Sequence, residues 1–266
     1  MQRALAFERA MHAAAGGRVI TASWGQAFLD GSLPLCHERN VLWAIDDAGG
    51  ADAATLDAAA ERLLGDAGLA HRRIVLEAAA HRRLRDELPA RGYGGSVHVY
   101  LAHSGPAPAA VDGVAVVEVA PEAVLVANDR YLLTDPGTPY GRPDATRAQL
   151  LEHHRTYGPA GAQERRFAVL GDDGAVAAWA RLWVRGDEAQ VEDVVCLAEH
   201  RGRGYGRAVV AAATRAALAA GPALVFIVAD DDDWPKELYG RLGYGRIGHI
   251  GVFLRLVPGA AEGARP

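Results

Sequence analysis

The stretch from Glu192 to Arg207 limits what this chain can fold into more than any other part of it. Glu192-Asp193 opens a strand-forming run, Val194-Val195-Cys196-Leu197. The run passes into a turn dense in glycine and arginine, Arg201-Gly202-Arg203-Gly204-Tyr205-Gly206-Arg207, after which Ala208 to Ala220 reads as a helix. Strand, glycine turn and helix in that order suit a phosphate. Glycines adopt backbone conformations closed to residues with a Cβ and let a ligand approach the main chain closely. The first N–H groups of a helix lack intrahelical partners, and the macrodipole places partial positive charge there. Arg201, Arg203 and Arg207 add full positive charges. A solvated glycine-rich turn is the plainer alternative, and the glycines alone do not decide between the two.

Any such phosphate site must be local. The chain has 266 residues, a net charge of -5 and a pI near 6.1, which gives no reason to expect nucleic acid or an anionic membrane as partner. Hydrophobic residues make up 50%, enough for one large core or two ordinary ones, and the length favours two domains. Cys36 and Cys196 both sit in apolar settings, so packing is their expected role and a reducing compartment fits. The first residues lack the apolar core of a signal peptide, and no run approaches the ~18 apolar residues of a membrane span. The expected location is the cytoplasm.

Residues 2–15 suit a short amphipathic helix, and Arg18-Val19-Ile20-Thr21 begins a strand. After a loop with Trp24 and Phe28, Asn40 to Ile45 reads as a strand buried on both faces, and Asp52 as the cap of a helix over 53–64. Ile74 to Leu76 is a strand, 80–88 a helix and Ser96 to Ala102 a strand. Residues 103–113 have the composition of a semi-rigid linker, after which the pattern starts again. Val114 to Val119 reads as a strand, Pro121 to Leu133 as a helix, and Asp144 as the cap of another running to about Tyr157. Arg166 to Leu170 and Ala175 to Val184 form a hairpin about Asp172-Asp173-Gly174. The 189–197 strand, the helix 205–220 ended by Gly221-Pro222, the strand 223–229, the helix 234–242 and the strand 244–256 complete the pattern. The tail from Pro258 to Pro266 has a disordered composition.

Aligning Gly92 with Gly243 sets Arg91-Gly92-Tyr93-Gly94 on Leu242-Gly243-Tyr244-Gly245 and His98 on His249. The halves read as diverged copies of one unit, or else as two chance helix-Gly-Tyr-strand endings. In the first half Leu88 stands where the second has Tyr239, and Asp46-Asp47-Ala48-Gly49-Gly50-Ala51-Asp52 stands where the second has its arginine-glycine turn. Carboxylates at a helix N-terminus repel a pyrophosphate and occupy its donors. The first half is therefore expected to bind no coenzyme.

Arg201, Gly204 and Gly206 fill the pattern R-x-x-G-x-G, which resembles the acetyl-CoA pyrophosphate motif of the GNAT N-acetyltransferase superfamily. Downstream, Tyr239, Gly243 and Tyr244 resemble that family's Y-x-x-x-G-[FY] ending. The resemblance implies an α/β fold with two GNAT-like domains, each a central mixed β-sheet flanked by helices. Residues 1–102 would be a degenerate copy without a coenzyme site, and 114–257 an acetyl-CoA-binding copy. It implies acetyl transfer to a primary amine of a small molecule or peptide, with Val194 to Leu197 and Arg201 to Arg207 holding the coenzyme. An inactive acyl-CoA-binding regulatory module and a longer acyl donor remain open, as does a homodimer. No metal is implied, since neither Asp230 to Asp233 nor His153-His154 has a coordination shell's spacing.

Direct attack by an amine needs a proton acceptor, because such a group has a pKa of about 10.4. Glu192 is the candidate, with an ordinary solvent-facing strand residue as the alternative. If alternation holds, Asp193 points to the opposite face. By resemblance, main-chain N–H groups near Val194 to Leu197 would receive the oxyanion where two parallel strands splay. Tyr239 matches the family position for protonating the leaving thiolate; alternatively its ring packs locally. The acceptor pocket would lie between about Tyr131 and Tyr157, with Tyr140, Arg142 and His153 as its polar groups, a placement that rests on fold analogy.

Overall fold

The computed structural model describes residues 1–15, 17–138 and 141–257, so the expected tail over 258–266 lies outside the described residues, as does Tyr140. In chain order the elements are α1 (Gln2–Ala14), β1 (Arg18–Ala22), β2 (Gly25–Leu29), β3 (Val41–Ala44), α2 (Ala53–Ala60), β4 (His71–Glu77), α3 (Ala78–Leu84) and β5 (Gly94–His103). There follow β6 (Val117–Glu118), α4 (Pro121–Thr134), α5 (Asp144–Thr156), β7 (Gln163–Leu170), β8 (Val176–Arg185), β9 (Glu188–Cys196), α6 (Tyr205–Ala220), β10 (Leu224–Asp230), α7 (Pro235–Arg241) and β11 (Tyr244–Leu256). They make two compact units. One, the C-terminal unit, comprises Met1–Met11, Tyr100–Ala229 and Trp234–Ile247; the N-terminal unit comprises His12–Val99, Asp230–Asp233 and the chain from Gly248 on.

In the N-terminal unit the strand order is β1-β2-β3-β4-β11. β1, β2 and β3 are antiparallel neighbours, β3 and β4 run parallel, and residues 250–256 of β11 pair antiparallel with β4. A parallel pair needs a crossover, and α2 supplies it. Leu56, Ala59 and Ala60 of that helix pack with Leu42, Ile74, Leu76, Leu84 and Phe253 in one core. In the C-terminal unit the order is β10-β9-β8-β7-β6, with β9 and β10 parallel and the other pairs antiparallel. Here α6 is the crossover. It packs on β8 and β9, and Ala208, Ala211, Ala212 and Ala213 are among its buried residues, small side chains that suit a close approach to the sheet. Val124 and Ala127 of α4 pack with Ala168, Val176, Trp179 and Leu197. Both units are mixed sheets with helices packed on them, and in each a parallel strand pair is bridged by a helix.

Several elements differ from the sequence reading. β2 replaces the expected loop: Gly25, at φ 142°, lies where a Cβ would stand 2.2 Å from the Trp43 carbonyl, so a residue that weakens a strand pattern is what lets this one pair. The strand expected over 114–119 shrinks to Val117–Glu118, whose register partners on β7 are Ala168 and Phe167. Asp144 does not cap α5. It is that helix's first residue, after an N-cap Pro143 that makes no side-chain cap bond, and it pairs with Arg147 at 2.8 Å. The helix read over 53–64 stops at Ala60 and widens over Glu61–Gly65, and α3 ends at Leu84.

His71, buried on β4, places Nε2 3.1 Å from the Asn40 carbonyl oxygen. Burial, then the neighbouring His37, pushes its pKa down to about 4. Burial lowers His37, His81 and His98 as well. With a folded-state pKa below the unfolded one, the unfolded chain takes up protons first. The His71 contribution is therefore complete above about pH 6.5 and lost as pH falls toward 4, ~3 kcal/mol in all. Chemical denaturation at a series of pH values across that window should show stability falling with acid, and His71→Gln should remove a share of the slope of that order. An unchanged slope in the variant would contradict the assignment.

Candidate active site

The glycine turn takes the conformation its residues allow. Gly202 and Gly204 have φ of 78° and 79°, a region in which a residue with a Cβ is strained. Gly204 is the N-cap of α6 and offers no side chain to the helix's first N–H groups. A Cβ at Gly206 would meet nothing within 4 Å. Glycine inside a helix costs about 1 kcal/mol relative to alanine, and packing within the protein gives no reason for it here. Open space over an uncapped helix N-terminus fits a bound anion. Arg203 and Arg207 are exposed beside it, and Tyr205 is half-buried.

Arg201 is used differently from the sequence expectation. Its guanidinium pairs with the buried carboxylate of Asp135, the C-cap of α4, and its Nε donates to the Cys196 carbonyl oxygen at 3.2 Å. The arginine therefore ties the turn to the end of β9 and to α4. Cys196 is half-buried, and burial pushes its thiol pKa up, against the Arg201 and Arg203 charges and the Gly206 N–H.

β9 and β10 part company beneath the turn. Their parallel register runs from Leu224↔Glu188 to Ile227↔Val191 and stops, although β9 continues to Cys196 and β10 to Asp230. On the other edge β9 remains paired with β8, with one irregularity: between the pairs Arg181↔Glu192 and Trp179↔Val195, Asp193 and Val194 oppose Ala180 alone. This is a β-bulge, with Asp193 at φ 49°, which costs a residue with a Cβ about 1–2 kcal/mol. The Leu197 N–H donates to Ala177 of the β8 side at 3.0 Å. By strand alternation the Val195 N–H points the same way, while those of Val194 and Cys196 face the side that β10 has left. Val194, Val195 and Cys196 are half-buried and Leu197 buried.

The bulge also overturns the expectation that Asp193 faces away from Glu192. Arg181, the register partner of Glu192, donates from Nη1 to Asp193 at 2.8 Å, so both carboxylates stand on one face of the sheet. Glu192 is half-buried and accepts a bond from Gln190 Nε2 at 2.5 Å; the same nitrogen lies 3.3 Å from Glu8 of α1. Arg181 is 1% exposed and completes its bonds with Glu164 at 2.7 Å and the Tyr157 carbonyl at 2.9 Å. Asp193 Oδ2 also lies 3.2 Å from Nδ1 of the buried His154. Burial alone would raise the Asp193 pKa, but His154 and Arg181 hold it well below the usual carboxylate range.

Tyr239 is buried on α7 with its ring beside Tyr244, whose hydroxyl lies 2.7 Å from Thr214 Oγ1 of α6. Of the acceptor-side candidates, Arg142 is exposed, and its carbonyl accepts from Arg147 at 3.0 Å. His153 stacks on Tyr157 with ring centroids 4.4 Å apart. Tyr140 lies outside the described residues. The structure thus brings together Arg201, Cys196, Gly206 and Asp135, and separately Glu192, Asp193, Arg181 and His154. Sequence reasoning passed over Asp135, Arg181 and His154. Arg181 had a signal, a lone cation inside the apolar run Ala177 to Val184, which must meet an acid if that strand is buried.

Residues 130–244 match the acetyltransferase (GNAT) family model. A conserved protein of unknown function from Staphylococcus epidermidis shares the fold with a TM-score of 0.69 and 16% identity, over 91% of this chain and 95% of that one. A GCN5-related N-acetyltransferase from Kribbella flavida does so with a TM-score of 0.61 and 20% identity, over 95% and 94%. A GCN5-related N-acetyltransferase from Sphaerobacter thermophilus matches with a TM-score of 0.51 and 18% identity, over 70% and 60%. No curated protein matches the sequence significantly. The GNAT family match thus covers residues 130–244, and the fold of the whole chain is one that GCN5-related N-acetyltransferases also have.

Proposed function

We propose that the protein transfers an acetyl group from acetyl-CoA to a primary amine of a small molecule or peptide. The observation that carries this reading is the uncapped N-terminus of α6, reached by a glycine turn at the place where β9 leaves β10. The family match over residues 130–244 supports acyl transfer in general; the acetyl donor and the amine acceptor are the further step. The coenzyme supplies an acetyl thioester. The α6 N–H groups, with Arg203 and Arg207, hold its pyrophosphate, and β9 lines its pantetheine. Arg201 acts by fixing the turn against Asp135.

In the transfer, a C–N bond forms as the C–S bond breaks. Glu192 takes the proton that the attacking amine must lose, the Val194 N–H meets the carbonyl oxygen as charge develops on it, and Tyr239 gives a proton to the departing sulfur. The N-terminal unit takes no coenzyme in this reading. Its equivalent turn is closed by its own side chains, Asp47 accepting from the Gly49 N–H at 3.0 Å and Asp52 from the Thr55 N–H at 2.8 Å. A cytoplasmic location agrees with the free Cys36 and Cys196.

Gly204→Val should weaken CoA binding at least about tenfold, because it strains the turn and fills the approach to the N–H groups; calorimetry measures this. A variant that binds as the intact protein does would remove the pyrophosphate site from the turn. Glu192→Gln should lower kcat by about 10²-fold or more with CoA affinity unchanged. Tyr239→Phe should lower it about tenfold, most at high pH where a proton donor is scarce. If neither slows transfer to any amine that the intact protein acetylates, these roles are wrong. If CoA binds and no amine is acetylated, the protein is a coenzyme-binding module instead.

A further inference from the structure

The bulge in β9 is held by a clamp that the acyl-transfer reading does not use. Asp193 adopts a left-handed backbone, a region that glycine or asparagine fills more readily. What offsets this strain lies in the side chain. One carboxylate oxygen is fixed from two elements, by Arg181 Nη1 of β8 at 2.8 Å and by His154 Nδ1 of α5 at 3.2 Å. Arg181 is in turn immobilised by Glu164 of β7 and by the Tyr157 carbonyl. His154 is 6% exposed, and its Nε2 has no hydrogen-bond partner among the described residues. The ring's polar contact is thus through Nδ1 to Asp193.

A backbone residue sets the tilt of the peptide that follows it. The dihedral angles of Asp193 orient the peptide joining 193 to 194, and alternation counted back from Leu197, whose N–H meets Ala177, turns the N–H of that peptide, the Val194 donor, toward the side vacated by β10. A residue free to relax into the extended region would rotate that N–H away. We infer that Asp193 is the positioning residue of the transfer: clamped by Arg181 and His154, it holds the Val194 N–H toward the carbonyl oxygen of the thioester. This rests on the acyl-transfer reading and adds the side chain that keeps its oxyanion donor in place. Asp193 itself touches neither substrate and moves no proton. Its low pKa, set by His154 and Arg181 against the effect of burial, keeps the clamp charged.

Asp193→Gly tests this with little backbone cost, since glycine accepts the left-handed conformation. The variant should fold and bind CoA within about threefold of the intact protein, while kcat for acetylation of a primary amine found by screening falls about 30- to 100-fold with KM little changed. Asp193→Asn, which keeps the shape and loses the charge, should lose less, and its kcat should keep the pH profile of the intact protein. His154→Gln and Asp193→Asn should be non-additive in kcat. A folded Asp193→Gly with kcat within twofold of the intact protein overturns the inference. So does a fall in CoA affinity as large as the fall in kcat/KM, which would mark a merely structural role. Should the glycine variant fail to fold, Asp193→Asn decides by the same criteria. If the intact protein acetylates no amine, the proposed function fails and this inference with it; activity that survives at Asp193 defeats this inference alone.

Discussion

A parallel strand pair that separates part-way leaves main-chain donors and acceptors which the sheet no longer satisfies. In the C-terminal unit that separation begins after Val191 and Ile227, and the surrounding features answer it. The bulge at Asp193 and Val194 changes the direction of β9 while it stays paired with β8. Arg201 covers the Cys196 carbonyl. By strand alternation the Val194 and Cys196 N–H groups face the side that β10 has left, and in the proposed function a thioester attached to a diphosphate would use these and the first turn of α6. In the proposed function, the opening between the strands would serve the nucleotide end and the acyl end at once.

The two units show how little sequence separates a usable opening from a closed one. Both have a parallel pair bridged by a helix, β3-α2-β4 and β9-α6-β10. At the start of α2, Asp52 meets the Thr55 N–H, and just ahead of it Asp47 meets that of Gly49. At the start of α6 there is glycine and no side-chain cap. A carboxylate that stabilises a helix by about 1 kcal/mol as a cap also removes the donors an anion would need. The same local chemistry that caps one helix with its own side chain is missing at the start of the other.

Most of this was legible from local pattern. The helix at 205–220 and the strand at 244–256 have the bounds their glycines and apolar runs imply. That the chain makes two compact units agrees with its length and with the repeated helix-Gly-Tyr-strand endings at Gly92 and Gly243. What escaped depended on partners distant in sequence. Strand alternation assigns Asp193 to the wrong face, because nothing in Glu192-Asp193-Val194 announces a bulge; the extra residue is visible only against Ala180 on β8. Asp135 belongs to no motif, and its tie to Arg201 spans 66 positions of chain. His154 read as half of a histidine pair, and α5 turns it alone onto Asp193.

The Arg201–Asp135 contact bears on how the glycine motif is to be interpreted in kindred chains. The Arg201 guanidinium is held by an internal carboxylate. Position 201 should then drift in evolution together with position 135, more than with the nucleotide. Where a related sequence lacks the acid, an uncharged glutamine at the head of the motif would signal a different anchoring of the loop.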